Sequence, residues 1–255
     1  MRFDILTLFP ELFSSPFTQS ILKKAIDNGL VEIHIHDIRD YALDKHRVVD
    51  DYPYGGGEGM VMKVEPIQRA VEAVKSMKKK DATPPRTILL APVGRTFNQE
   101  TAWKLAELKN IILICGRYQG VDERVKELLV DEELSIGDYV LSGGEIPAMV
   151  IVESVSRLIP GVLGCDRSAR EDSFSMGLLE YPHYTRPDVF ADQAVPEVLL
   201  SGNHKKIDEW RHKAALKRTF ERKPALLENS SFSEEDKDFL KELKHSPSNK
   251  GKTSH

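Results

Sequence analysis

Cysteine is close to absent. Cys115 and Cys165 are the two among 255 residues, far apart and in no Cys-x-x-Cys pair. That excludes a disulfide framework and a cysteine-built zinc site, and it points to a reducing compartment. Long apolar runs are missing too. The longest, such as 111–115, are strand-sized, against the ~18 residues of a membrane span, so no membrane is expected. The opening residues MRFDI carry an acid inside the first apolar stretch and no cleavage-site pattern. They do not read as a signal peptide, and the expectation is a cytoplasmic protein. Positive charge is not in excess: 36 Lys and Arg stand against 40 Asp and Glu, a formal net charge of −4. Any nucleic-acid contact therefore has to come from a local basic patch. No Gly-x-Gly-x-x-Gly occurs; GGGEG at 55–59 follows no expected strand and opens no helix, which excludes the dinucleotide fingerprint. GKT at 251–253 has Ser246 where a phosphate loop has its first glycine, and no Gly-x-Ser-x-Gly elbow is present. Hydrophobic residues, at 40%, are not lacking, so a disordered chain is excluded and the length suffices for a sizeable core.

What is present is a rhythm of short apolar runs and helix-like segments. Strands are expected at 3–9, 31–38, 87–91, 111–115 and 134–141. Helices are expected at 16–28, 65–77, 99–108, 122–130 and 145–159, with Gly29 as a stop and Pro66 and Pro147 in first turns. This alternation predicts an α/β fold with a mostly parallel sheet. Residues 40–60 read as a long loop. The rhythm stops near Pro160, and 160–196 reads as a linker or functional loop. Polar helices follow at 205–222, with Ile207, Trp210 and Ala214 on one face, and at 234–243. The tail 246–255 is Ser, Asn, Lys and Gly and is expected to be disordered.

Three glycine turns each follow an expected strand: Pro92-Val93-Gly94, then 116–120 (GRYQG), then Ser142-Gly143-Gly144. Ligands collect at the carboxyl ends of parallel strands, and glycine lets the backbone approach closely. The turns are either ordinary connections or a cage of main-chain groups around one small molecule. Residues 157–188 hold Arg157, Arg167, Arg170, Glu171, Asp172, His183, Tyr184, Arg186 and Asp188, which suits either solvated surface or a site. Between His204 and Lys223 eight Lys or Arg stand against three acids, with Trp210 and Phe220 interleaved. That suits phosphate contact or a solvated charged helix. Lys78-Lys79-Lys80 reads as a solvated helix end. His34 and His36 share a strand face without a third ligand, so they read as solvent-facing strand residues, and no metal site is assigned.

Seven motifs stand in order: VDDYPYGGGEGM (49–60), CGRY (115–118), SIGDYVLSGGE (135–145), IPGVLG (159–164), EDSF (171–174), PHYTRP (182–187) and LLSGNH (199–204). With them the chain resembles the bacterial tRNA (guanine-N1)-methyltransferases of the SPOUT superfamily, over about residues 1–245. The resemblance implies a parallel sheet threaded into a deep trefoil knot, an expectation the strand rhythm cannot supply because knots are nearly absent from folds. It implies a knotted donor-binding domain at 1–160, a linker and active-site loop at 161–196, and a small helical tRNA-binding domain at 197–245. It implies a homodimer with sites at the subunit interface, and S-adenosylmethionine as methyl donor. The donor would be held by Pro92, Gly94, Gly116, Tyr118, Gln119, Ile136, Gly137, Asp138, Tyr139, Val140, Leu141, Gly143 and Gly144. The acceptor would be N1 of guanine-37 in tRNA, 3′ of the anticodon, with Lys213, Lys217 and Arg218 toward phosphates.

Guanine N1 carries a proton and is a poor nucleophile at neutral pH. A carboxylate in a dry site can remove the proton, and a guanidinium can stabilise charge developing on O6. The resemblance carries these roles to Asp172 and Arg157. One position departs: the family usually reads glutamate where this chain has Gln119. An amide lacks the charge to which a magnesium dependence is tied, which leaves that dependence open. A noncatalytic RNA-binding relative would not keep Asp172 and Arg157, and a small-molecule enzyme would have no use for the basic helix.

Overall fold

A computed structural model of the chain describes residues 1–77, 83–164, 169, 172–175, 177–228 and 232–245. The lysine run at 78–80, Cys165, Arg167, Arg170, Glu171 and the tail from 246 lie outside the described residues. Contacts divide the chain into two compact units, Met1–Asp166 and Arg167–His255.

The first unit is α/β. In chain order it runs β1 (Arg2–Thr7), α1 (Ser20–Asp27), β2 (Glu32–Asp37), β3 (Asp50–Asp51), β4 (Val61–Met62), α2 (Val64–Ser76), β5 (Arg86–Thr96), α3 (Gln99–Ala106), β6 (Asn110–Cys115), α4 (Glu123–Leu129), β7 (Glu132–Ser135) and α5 (Glu145–Ser156). Five strands form one sheet in the order β2-β1-β6-β5-β7, every neighbouring pair parallel. β1 and β6 are buried almost throughout, as strands covered on both faces are. β2 is an edge, and its exposed Glu32 and half-exposed His34 leave it a poor template for a further strand. α2 buries Ile67, Ala70, Val71 and Val74, the i, i+3, i+4, i+7 stripe of an amphipathic helix, against Leu6, Leu89, Ile112 and Ile114. Alternation then turns Ile111, Leu113 and Cys115 to the other face. Each such side chain contributes about 1.5–3 kcal/mol on burial. α1 ends where Gly29 takes φ +68° and Leu30 N–H bonds Ala25 O at 2.9 Å, the left-handed closure glycine permits.

Two strand expectations change. β5 does not stop at Ala91. It continues to Thr96 with a register shift, since Leu90 and Arg95 both face Leu134. The Pro92-Val93-Gly94 segment is thus a bulge inside a strand, at a proline that has no N–H for the ladder. The strand expected at 134–141 ends at Ser135. Gly137 turns away at φ +142°, Tyr139 N–H closes back on Gly137 O at 2.9 Å, and Val140 stands 86% exposed. Leu134 and Ser135 are buried, but past them Tyr139 and Val140 face outward. The 40–60 loop is broken by the β3–β4 antiparallel pair, with Gly55, Gly56, Gly57 and Gly59 all at positive φ between them.

The second unit holds a short antiparallel pair, β8 (Val189–Phe190) and β9 (Gln193–Ala194), then α6 (Glu197–Leu200), α7 (His204–Arg222) and α8 (Glu234–His245). The pair falls within 160–196, where no strand was expected. The Asn203 side chain caps α7 by accepting from Lys206 N–H at 3.2 Å. α7 buries Ile207, Ala215, Leu216 and Thr219; Trp210 is half-buried, its ring 6.3 Å from that of Tyr184. Among the described residues no helix is long and apolar enough to cross a membrane.

One charge is fully buried in the sheet. Asp4 accepts from Arg2 Nε at 2.8 Å and Arg2 Nη2 at 2.6 Å, and lies 2.9 Å from His36 Nε2. Burial pushes its carboxyl up, but the bonds from His36 and Arg2 outweigh that and hold it below its ordinary 3.8. Removing one partner of a buried pair leaves an uncompensated charge, so Asp4→Ala should cost on the order of 3 kcal/mol in urea unfolding. A depressed carboxyl stabilises above its unfolded value and loses that contribution as pH falls through the folded one. Stability of the wild type should therefore decline more steeply than that of Asp4→Ala below pH 3.8. Parallel acid profiles would show that the pair does not contribute.

Candidate active site

Beside the bulge of β5 and beyond the carboxyl ends of β6 and β7 lies a cavity of about 410 Å³. Pro92, Gly116, Tyr118, Gln119, Ile136, Gly137, Tyr139, Val140, Leu141, Gly143 and Gly144 line it. Gly94 and Asp138 do not line it; Asp138 is exposed to solvent.

Close backbone crossings build this cavity. Gly144 N–H bonds Gly116 O at 2.9 Å, and Arg117 faces Gly143 in an isolated antiparallel bridge. A Cβ on Gly144 would lie 2.7 Å from Cys115 Cα. A Cβ on Gly94 would lie 2.6 Å from the Glu133 carbonyl carbon and Leu134 N. Gly94 therefore acts behind the cavity wall, where β5 passes β7. The 116–120 turn is tight: Tyr118 sits at φ +61° and Gly120 at φ +120°. Gln119 N–H bonds Met60 O at 3.1 Å, and its Nε2 donates to Glu58 O. The cavity rim and the 55–60 glycine loop are thereby joined.

Two buried groups behind the cavity wall have no signal in the sequence. Glu145, the first residue of α5, is 1% exposed. It accepts from Thr7 Oγ1 at 2.8 Å and Arg117 Nε at 3.1 Å. A glutamate at a helix start reads from sequence as a solvated first-turn acid, so only the glycine pair before it hinted at close packing. Cys115 is buried, and burial pushes its thiol well up, with the Glu145 carboxylate adding to the effect. It stays a thiol and is no nucleophile.

Arg157 caps the C-terminus of α5 in the first unit and is half-buried. Asp172 lies in the second unit, half-buried, in a turn where its carbonyl accepts from Ser175 N–H at 3.2 Å. The basic residues of α7 differ in availability. Lys213 and Lys217 are exposed; Lys213 Nζ lies 5.9 Å from the Phe239 ring centroid. Arg218 is half-buried and its Nη1 donates to Glu180 O at 3.0 Å, so it fastens α7 to the preceding segment. Among the described residues no three His, Cys, Asp or Glu gather into a metal cluster.

A family model described as tRNA (Guanine-1)-methyltransferase TrmD matches residues 1–229. Three relatives named tRNA (guanine-N(1)-)-methyltransferase align over nearly the whole chain. That of Dictyoglomus turgidum is 58% identical over 244 residues, covering 96% of this chain and 97% of its own. That of Dehalococcoides mccartyi is 56% identical, covering 95% and 97%. That of a Geobacter species is 55% identical, covering 95% and 96%.

The Gly94 contact is with main chain, which cannot turn aside as a side chain would. Gly94→Ala should therefore cost roughly 1–3 kcal/mol, the range for an overpacked site. Urea unfolding measures it; a midpoint equal to wild type would mean that β5 and β7 part without cost.

Proposed function

The chain belongs to the tRNA (guanine-1)-methyltransferase TrmD family, and from that premise we propose that it transfers a methyl group from S-adenosylmethionine to N1 of guanine-37 in tRNA. The observation that carries the donor assignment is the cavity beside the β5 bulge and the ends of β6 and β7. Its walls are main-chain turns in which glycines stand where a Cβ would collide, and its volume suits a nucleoside-sized ligand. S-adenosylmethionine supplies an electrophilic methyl group when bound. Gly116, Tyr118 and Gln119, with the 92–93 and 136–144 segments, hold the donor, and Gln119 does so by an amide rather than a carboxylate. An amide lacks the charge with which a carboxylate would hold a divalent cation, so the magnesium dependence is weaker than a glutamate at this position would give.

Asp172 accepts the guanine N1 proton, and Arg157 offsets the charge growing on O6. The target base leaves its stack to reach them. The threading of the sheet is the SPOUT trefoil knot; the close passages at Gly94 and Gly144 support it. Two copies form the working enzyme, with sites at their interface. Phe9, Leu12, Ile21 and Ile146 are each more than 40% exposed, on adjoining elements of the first unit, which supports a surface for a second copy. The second unit grips tRNA through phosphates in the cytoplasm.

Transfer of labelled methyl from S-adenosylmethionine to unmodified tRNA tests the reading, and absence of transfer would overturn it. Asp172→Asn should keep donor and tRNA binding yet lose turnover by at least ~100-fold, the low end for loss of a general base. Near-normal turnover would remove Asp172 from that role. Lys213→Ala with Lys217→Ala should flatten the slope of log K for tRNA against log salt by roughly 0.7–0.9 for each phosphate no longer neutralised. Arg218→Ala should instead loosen α7 against its neighbouring segment. An unchanged slope in the double lysine variant would make that face merely solvated.

A further inference from the structure

Arg117 is the one guanidinium lining the cavity among the described residues, yet its Nε points away toward Glu145 at 3.1 Å. Its guanidinium carbon lies 4.3 Å over the Phe9 ring. Glu145 is held on its other oxygen by Thr7 Oγ1 at 2.8 Å, and the same Thr7 hydroxyl accepts from Phe9 N–H at 2.9 Å. Phe9, Arg117, Glu145 and Thr7 thus close a ring. It joins three segments: the exit of β1, the 116–120 turn and the start of α5. Gly143 sits against this ring. A Cβ there would lie 2.4 Å from Arg117 Nε and 2.5 Å from Glu145 Oε2.

We propose that the Arg117–Glu145 pair is a brace that fixes the spacing of the 116–120 and 142–144 turns, so that Arg117 is a positioning residue for the methyl donor. The inference rests on the reading of this cavity as the donor site. A buried ion pair contributes little net stability, but its geometry is demanding, and losing one member leaves the other unpaired. The planar guanidinium meets Glu145 through Nε while stacking on Phe9; a lysine ammonium cannot do both. Both turns line the cavity, so a shift in their spacing changes the site directly.

Calorimetric binding of S-adenosylmethionine, read with tRNA affinity and the split between kcat and KM, tests this. Arg117→Lys keeps the charge and loses the brace; it should weaken donor binding about tenfold or more, with tRNA affinity unchanged and kcat at saturating donor near wild type. Glu145→Gln, nearly the same shape without the charge, should do the same. Gly143→Ala should weaken the donor as well, by prising the pair. In an Arg117→Ala background, where nothing is left to prise, it should add less than about twofold. Full donor affinity in Arg117→Lys would show direct charge contact or no role. Additive losses for Gly143→Ala and Arg117→Ala would show that the alanine blocks the donor itself. Either result overturns the brace while leaving the donor site in place, since wild-type binding is measured in the same series; failure of the wild type to bind would remove both.

Discussion

The first unit depends on main chain passing main chain at distances that admit no Cβ. At Gly144 the start of α5 crosses the end of β6, and at Gly94 the bulge of β5 crosses β7. These contacts locate the bulge of β5 and the turns that follow β6 and β7. Once they are set, the cavity has little freedom left. Its lining follows from where the backbone goes, and its side chains mostly decorate walls already placed. The Leu90–Arg95 register shift belongs to the same constraint, because the extra residues must leave the ladder for β5 to clear β7 and still pair again at Thr96.

Much of this was legible in the residues. β6 and α2 were readable because an unbroken apolar run and a 3.6-residue stripe each have one physical meaning. The order of the strands was not, since parallel strands are joined by crossovers and the pattern says nothing of which neighbour each finds. The run 134–141 misled because exposed apolar residues at a ligand cavity look from sequence like a buried strand. The glycine turns by themselves read as ordinary connections or as a cage; the resemblance names the donor residues, and the structure gathers all of them but Gly94 and Asp138 about one cavity. Glu145 escaped notice because its partners, Thr7 and Arg117, come from 138 and 28 positions away. In α7, charge counting could not tell the exposed Lys217 from the half-buried Arg218, whose Nη1 also donates to a carbonyl.

β1 carries buried acid partners at both ends. Near its start Asp4 is met by Arg2 and His36; at its finish Thr7 holds Glu145, which Arg117 meets from the other side. A buried carboxylate tolerates few geometries, since each oxygen has to keep its donors. Two such groups pin the strand lengthwise between the edge strand β2 and the first turn of α5. The sheet supplies the burial, and the acids supply the register in which that burial is used.

On the proposed reading, the cavity built on these crossings would meet its donor in part through peptide groups beside glycines. That has a consequence for inhibition. A compound that competes by bonding main-chain amides and carbonyls leaves few routes of escape by point substitution. At Gly94, Gly143 and Gly144 any side chain that would reshape the wall collides first with the protein itself. Resistance to such a compound would have to arise at the rim, through exposed residues such as Tyr139 or Val140, or through higher expression of the protein.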